Sequence, residues 1–394
     1  MQRSARGQVD AFIVMDVVEA ARAAEEVGRH IIHMEVGQPS SPAPAKARAA
    51  LSAALDSHAL GYTTSLGLPA LRQGIAGLYR RWYGVDLDPA RVVVTAGSSG
   101  GFLLAFTALF DIGDRVGMAE PGYPSYRQIL RALSLVPVGI PAHAQNRLQP
   151  VPGDLAHLNL QGLIVASPGN PTGTMLSRDA LAGLIDHSAA RNISFVSDEI
   201  YHGLHYADRA VSALEITDDA YVINSFSKYF SMTGWRVGWM VVPEDHIRTV
   251  ERLAQNMFIC APHAAQLVAL AALDCTDELE ANRAAYATNR ALMLAGLPEA
   301  GFTRIAPPDG AFYIYADVSD HTTDSLAFAA ELLREAGVAV TPGLDFDPVR
   351  GAQTLRFSYA GATADIVEGL LRLQRHMAAR SPRQQPPARI SGPK

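Results

Sequence analysis

Cysteine is nearly absent from this sequence: Cys260 and Cys275 are the two among 394 residues. Two thiols in a chain of this length do not make a disulfide framework, which favours a reducing, cytoplasmic setting. Long apolar runs are missing as well, because Asp16 interrupts the run that begins at Ala11. That run is too short for a signal-peptide core, and no stretch is long enough to span a bilayer. We therefore expect no membrane partner.

An excess of positive charge is also lacking. Lysine and arginine total 33 against 39 acidic residues, so the formal net charge is -6. A mildly acidic chain has no electrostatic reason to bind nucleic acid or an anionic membrane. The apolar content of 48% is that of an ordinary globular protein, and the length predicts two or three domains.

Apolar runs alternate with helix-like segments through the middle of the chain. The runs lie at 92–95, 115–120, 162–167, 193–199, 221–226 and 235–242. This alternation predicts an α/β fold in which helices cover both faces of a mostly parallel sheet. From about residue 245 the pattern is helical as far as Leu297, and a smaller α+β unit follows. The Pro- and Arg-rich stretch at 381–394 is predicted to be disordered.

A lysine follows one of these runs, in the segment SFSKYFSMTGWRVGW (225–239). Desolvation at the end of a buried strand disfavours the ammonium form of Lys228. A neutral amine at that position can attack an aldehyde and form an imine. An ordinary surface lysine after a strand is the alternative interpretation.

Two further motifs place polar side chains at strand ends. Asn170 lies in SPGNPTGT after one run, and Asp198 and Tyr201 lie in SDEIYHGLHY at the end of the next. A carboxylate there is costly unless a cation or a hydrogen-bond donor meets it, and the ring nitrogen of pyridoxal phosphate (PLP) is one such partner. A plain turn and a helix-capping Asp are the alternatives. His202 and His205 have a possible metal spacing, but without a third ligand we predict no metal site.

The segment VVVTAGSSGGF is a strand, a glycine-rich turn and the start of a helix. Gly97, Ser98 and Ser99 could hold a phosphate at the helix N-terminus, and Arg236 could add a charged contact. The same turn matches the G-x-S-x-G pattern of a serine hydrolase, with Ser99 as nucleophile. That alternative also needs an acid and a histidine in order, and no downstream histidine stands in a convincing motif.

The order and spacing of these motifs resemble the fold-type-I PLP enzymes, in the class I/II aminotransferase group related to aspartate aminotransferase. The similarity runs from about residue 10 to 378. It implies catalytic roles for Lys228, Asp198 and Tyr201, and a substrate site at Gly37, Asn170 and Arg356. The implied cofactor contacts are Gly97, Ser98, Ser99, Tyr123, Asn170, Asp198, Tyr201, Ser225, Lys228, Arg236 and Tyr62, the last reaching a neighbouring subunit.

The resemblance implies a homodimer whose subunits combine a large PLP domain with a small domain built from both termini. We expect an N-terminal segment at 1–45 belonging to the small domain, the PLP domain at 46–285 and the rest of the small domain at 286–380. The implied reaction is ping-pong transfer of an amino group from an amino acid to a 2-oxo acid through an imine on Lys228. The main alternative is a PLP lyase, either a carbon–sulfur β-lyase or an enzyme like aminocyclopropane-carboxylate synthase. A non-catalytic PLP-binding regulator is a further alternative.

Overall fold

The computed structural model describes residues 3–57 and 59–380. The predicted disorder at 381–394 lies outside these residues. None of the described helices has the length and apolar content needed to cross a membrane.

The described strands belong to two sheets. The first sheet has the order β2-β8-β7-β6-β5-β3-β4, and the second has the order β1-β11-β12-β10-β9. The strands are β1 (Ile32–Met34), β2 (Val92–Thr95), β3 (Arg115–Glu120), β4 (Val136–Pro141), β5 (Gly162–Ala166), β6 (Ser194–Asp198), β7 (Tyr221–Ser225), β8 (Gly238–Val241), β9 (Arg304–Ile305), β10 (Tyr313–Asp317), β11 (Val338–Pro342) and β12 (Thr354–Ser358).

Helices surround both sheets. The α-helices of the described residues are α1 (Ile13–Glu26), α2 (Ala45–Ser57), α3 (Pro69–Tyr83), α4 (Gly97–Leu109), α5 (Pro124–Ala132), α6 (Pro152–Leu155), α7 (Arg178–Ala189), α8 (Ile247–Met257), α9 (His263–Ala272), α10 (Thr276–Glu299), α11 (Ser325–Glu331) and α12 (Thr363–Ala379).

The first sheet is buried on both faces. Successive residues of a strand point to opposite faces, so Val92 and Val94 join one buried cluster while Val93 joins another. Helices α4, α5 and α8 supply residues to the Val93 side, and α3, α7 and α9 supply residues to the other. The sheet is parallel except for β8, which runs antiparallel to both neighbours. The predicted α/β class with a mostly parallel sheet is confirmed.

The second sheet joins the two ends of the chain. Strand β1 pairs parallel to β11. The remaining pairs are antiparallel: β11 with β12, β12 with β10, and β10 with β9. Helices α1 and α12 pack against this sheet. This is the kind of unit expected for a small domain built from both termini, and the exact domain boundaries remain predictions.

Two local differences from the predicted strands have physical reasons. Strand β4 was not predicted, because Pro137 and Pro141 interrupt an apolar run; the strand is tolerated because it is an edge strand that pairs only with β3. Strand β8 begins at Gly238, three residues after the predicted start. Arg236 before it has a left-handed backbone with φ of 53°, which ends a short 3₁₀ turn rather than starting a strand.

Candidate active site

The polar motifs meet at one edge of the first sheet. Strands β2, β3, β5, β6 and β7 run in the same direction, so the segments that follow them meet at the same edge. Strand β8 runs the other way, and therefore Arg236, which precedes it, reaches that edge too. The second sheet contributes Gly37, from the loop after β1, and Arg356, from β12, to the same place.

A cavity of about 200 Å³ lies at this edge. Most of the predicted site residues line it: Gly37, Ser98, Ser99, Tyr123, Asn170, Asp198, Tyr201, Lys228, Arg236 and Arg356. Residues that were predicted from separate motifs are therefore brought together in one place.

Lys228 lies three residues beyond the end of β7 and points into the cavity. Its Nζ donates a hydrogen bond to the carbonyl oxygen of Gly37 at 2.6 Å. Burial lowers the pKa of Lys228 to about 8, and the nearby guanidinium groups of Arg356 and Arg236 act in the same direction. A substantial fraction of the amine is therefore neutral near pH 8 and available as a nucleophile or base.

Asp198 is the last residue of β6 and is 4% exposed. Burial raises the pKa of its carboxyl to about 6, against the hydrogen bonds it accepts from the Tyr126 hydroxyl and the Ile200 amide. Among the described residues we find no ion pair to this carboxylate within 4 Å. A buried carboxylate without a cation is costly, which marks Asp198 as the partner of a positively charged ligand group.

The turn between β2 and α4 carries the candidate phosphate site. Helix α4 begins at Gly97, whose φ is +70°, and no side chain caps its N-terminus. A Cβ at Gly97 would collide with the guanidinium of Arg236, so only glycine lets the turn and the arginine lie together. The free amides of the first turn and an adjacent guanidinium make an anion site.

Arg356 lies on β12 and is 2% exposed. Its guanidinium donates to Asn170 Oδ1 at 2.9 Å and to the Glu35 carbonyl, and lies 4.4 Å from the ring centre of Tyr313. Its Nε is buried and has no hydrogen-bond partner. The residue also lines the cavity, and a guanidinium held there is suited to receive an anionic oxygen.

Three predicted contacts lie outside the cavity lining. Gly97 precedes Ser98 in the chain and lies next to the guanidinium of Arg236. The Ser225 hydroxyl is bonded to Ser227 Oγ at 2.8 Å and to the Val237 carbonyl at 3.1 Å, and it is Ser227 that lines the cavity. Tyr62 is 81% exposed on this single chain.

Sequence reasoning missed two tyrosines of the site. Tyr126 donates a hydrogen bond to Asp198 from the first turn of α5, three residues after the N-cap residue Tyr123. That i, i+3 spacing could have indicated it. Tyr313 donates or accepts a hydrogen bond with the Tyr201 hydroxyl at 2.8 Å and packs against Gly37. It lies on a strand of the second sheet, and nothing in the local sequence indicates that contact.

An apolar segment covers the cavity. Phe12, Val14 and Met15 line it at the start of α1. The Asp345 carboxylate accepts hydrogen bonds from the amides of Ile13 at 3.0 Å and Val14 at 3.2 Å, which attaches this helix end to the second sheet. The side-chain surface presented to the cavity by this segment carries no charge.

Two alternatives from the sequence find no support here. Within residues 3–57 and 59–380, no group of three or more potential ligands could hold a metal ion, and His202 is bonded to Tyr83 and to the Ser167 carbonyl. No histidine of the described chain lines the cavity beside Ser99, so the serine-hydrolase arrangement is not assembled.

The fold is that of the PLP-dependent enzymes of fold type I. The family model for aminotransferase class I and II matches residues 29–373, and the chain belongs to this family. It is a PLP-dependent aminotransferase, as the resemblance predicted.

Individual relatives agree with this assignment. A valine–pyruvate aminotransferase from Mycobacterium tuberculosis is 48% identical over 374 residues, which is 93% of this chain and 96% of that protein. A crystal structure of a putative aminotransferase from Silicibacter pomeroyi is 69% identical with a TM-score of 0.93, covering 96% of this chain and all of that one. The crystal structure of an aminotransferase from Mycobacterium tuberculosis is 47% identical with a TM-score of 0.95 over the same shares.

Proposed function

We propose that this aminotransferase acts on neutral amino acids with apolar side chains, with Lys228 as the proton-transferring base and Arg356 as the anchor of the substrate carboxylate. The observation that carries the proposal is the cavity itself. It places the Lys228 amine, the buried Arg356 guanidinium and the apolar start of α1 around one small space.

The described residues fit PLP, which when bound supplies an aldehyde and a ring that accepts electrons from the substrate Cα. The Ser98 and Ser99 turn and Arg236 would hold the phosphate, together with Tyr62 of a neighbouring subunit. Asp198 would hold the ring nitrogen, because it is a buried carboxylate with no cation of its own. The remaining contacts to the ring would come from Tyr123, Asn170 and Tyr201.

Lys228 performs the proton transfers in this proposal. Its lowered pKa leaves Nζ neutral often enough to accept a proton from the substrate Cα. The hydrogen bond to the Gly37 carbonyl holds Nζ on the side of the cavity where Arg356 fixes the substrate. Tyr201 lies close by, with its ring centre 5.9 Å from Nζ, and limits where the amine can move.

Arg356 orients the substrate by its carboxylate. Asn170 and the Glu35 carbonyl hold the guanidinium in place, and the same residue lines the cavity in which the ligand would bind. A guanidinium fixed in this way can bind a carboxylate through two parallel hydrogen bonds. This contact sets the direction in which the Cα proton points relative to Lys228.

The substrate side chain is expected to be apolar. Lys228, Arg236 and Arg356 are the cationic residues of the described chain that line the cavity, and each has a role above. No further cation remains for a second substrate carboxylate, while Phe12, Val14 and Met15 offer apolar contacts. The valine–pyruvate activity named for the Mycobacterium tuberculosis relative agrees with such a pocket.

We also propose that the enzyme is a homodimer in the cytoplasm. Tyr62 is 81% exposed although its segment is ordered against α9 through the His263–Gly61 hydrogen bond, so it is available to a second subunit. The thiols of Cys260 and Cys275 are both free, which suits a reducing compartment.

The test is a panel of amino acids with pyruvate as acceptor, followed by amino-acid and oxo-acid product analysis. We expect valine and similar donors to exceed aspartate in kcat/KM, with parallel-line, ping-pong kinetics. Lys228→Ala should lose turnover. Preference for aspartate would contradict the substrate proposal, and normal turnover by Lys228→Ala would contradict the role of Lys228. Ammonia release without an oxo-acid acceptor would indicate a lyase instead.

A further inference from the structure

A second cavity, of about 220 Å³, is separate from the active site and has no role in the reaction described above. Its wall includes three arginines, Arg81, Arg209 and Arg283, and a single carboxylate, Glu280. We call it the arginine cavity. Aromatic side chains of Trp82, Tyr83 and Tyr229 form much of the remaining wall.

The cavity wall has more cationic than anionic side chains, and one of the cations has no carboxylate partner in the described part of the chain. Arg209 is bonded to both carboxylate oxygens of Glu215, each at 2.8 Å. Glu280 is fully engaged, since one oxygen accepts from Arg283 Nε and the other from the Tyr229 hydroxyl, both at 2.7 Å. Among the described residues we find no carboxylate paired with Arg81. The Arg81 guanidinium is therefore the group that remains available to an anion.

The aromatic wall provides apolar surface beside this charge. Trp82 meets the Tyr229 ring edge-on, with ring centres 5.2 Å apart, and it also lies edge-on to Tyr83. Gly203 completes the wall, and a Cβ there would stand 2.6 Å from the Tyr229 ring. Such a combination of flat apolar surface and guanidinium groups favours a planar organic anion over a small inorganic one.

One further polar atom in the cavity wall lacks a partner. His205 Nδ1 is buried and makes no hydrogen bond, although Arg283 donates to the carbonyl of the same residue at 3.1 Å. The cavity also adjoins two active-site segments along the chain, because Tyr229 follows Lys228 and His202 follows Tyr201. It is separate from the catalytic cavity, and no described residue lines both.

We propose that the arginine cavity is a second binding site, for a small planar carboxylate. The carboxylate lies against Arg81, and the apolar body of the ligand packs on Trp82 and Tyr229. Arg209 and Arg283 keep their carboxylate partners Glu215 and Glu280, so the unpaired positive charge offered to the ligand is that of Arg81.

Benzoate is the probe, with benzamide as a neutral molecule of the same shape. Calorimetric titration of the holoenzyme is carried out on four proteins. Arg356→Met removes the carboxylate anchor of the active site, and Arg81→Glu reverses the charge of the proposed site. Arg80→Glu makes the same charge change one residue away, at an exposed position that does not line the cavity.

Three results are expected together. Benzoate binding persists in Arg356→Met, weakens at least tenfold in Arg81→Glu and is unchanged in Arg80→Glu, since a reversed charge at contact distance repels the ligand. Benzamide binds at least tenfold more weakly than benzoate. The proposal is overturned if benzoate does not bind, if Arg356→Met abolishes binding, if Arg81→Glu and Arg80→Glu bind equally, or if benzamide matches benzoate.

Discussion

Arg356 Nη1 donates a hydrogen bond to Asn170 Oδ1 at 2.9 Å and so joins strand β12 of the second sheet to the loop after β5 of the first. Both residues are more than nine-tenths buried, where such a bond is shielded from water. The substrate anchor therefore depends on the two sheets being held in their present relative positions.

Replacing Arg356 by lysine tests this relationship. Lysine keeps the charge but cannot form the planar fork that reaches Asn170, Glu35 and a ligand together. We expect kcat/KM to fall about 100-fold, the lower part of the range for disrupting a buried, hydrogen-bonded charge pair, while PLP affinity stays near its original value. Steady-state kinetics measure kcat/KM, and cofactor titration measures the PLP affinity. Arg304→Lys on the same sheet is the control, and equal losses in both variants would contradict the anchoring role.

Cofactor uptake should depend on pH through Lys228. The amine must be neutral to react, and burial lowers its pKa to about 8. The rate of PLP binding to cofactor-free protein should rise about tenfold per pH unit below pH 8 and level off above it. Stopped-flow absorbance measures this rate. Lys228→Ala should show no such phase, and a rate that keeps rising to pH 10 would show that the pKa is not lowered.

Tyr126 should strengthen cofactor binding through Asp198. Its hydroxyl lowers the pKa of that carboxyl, in opposition to burial. Tyr126→Phe leaves the carboxylate less stabilised, and we expect PLP affinity to fall about tenfold, the usual effect of losing a hydrogen bond to a charged group. Cofactor titration gives the affinity. Tyr221→Phe removes a tyrosine hydroxyl bonded to His246 instead, and should have no effect on PLP.

The stability of the fold should change with pH through His33. The hydrogen bond to the buried Glu35 carboxylate, and a second contact with Glu25, raise the pKa of His33 to about 9. Because the folded pKa lies above the unfolded value of about 6.5, the stabilisation is fully present below pH 6.5 and is lost as pH rises through 9. The side chain is 39% exposed, so we expect a contribution of about 1 kcal/mol.

Urea unfolding at pH 6 and pH 10 measures this contribution. The difference between wild type and His33→Asn should be present at pH 6 and absent at pH 10. His157→Asn changes an exposed histidine and serves as the control. A wild-type advantage that is equal at the two pH values would contradict the link to His33 protonation.

The sequence predicted the parts of this site that follow strand ends in one sheet. Asn170, Asp198 and Lys228 each stand at or just beyond the end of an apolar run, and parallel strands bring such positions to one edge. Tyr313 could not be found in that way, since its contacts with Tyr201 and Gly37 depend on how the second sheet packs over the first. For Ser225 the motif predicted the position in the chain but not the direction of the side chain. Its hydroxyl donates a hydrogen bond to the Val237 carbonyl and does not line the cavity.

The attachment of α1 has a consequence for enzyme engineering. Asp345 holds this helix through the main-chain amides of Ile13 and Val14, which any amino acid other than proline provides. Exchanging the side chains at Phe12, Val14 and Met15 therefore leaves the attachment in place. A small combinatorial library at these three positions would reshape the substrate pocket without substituting any residue of the two sheets or any predicted cofactor contact.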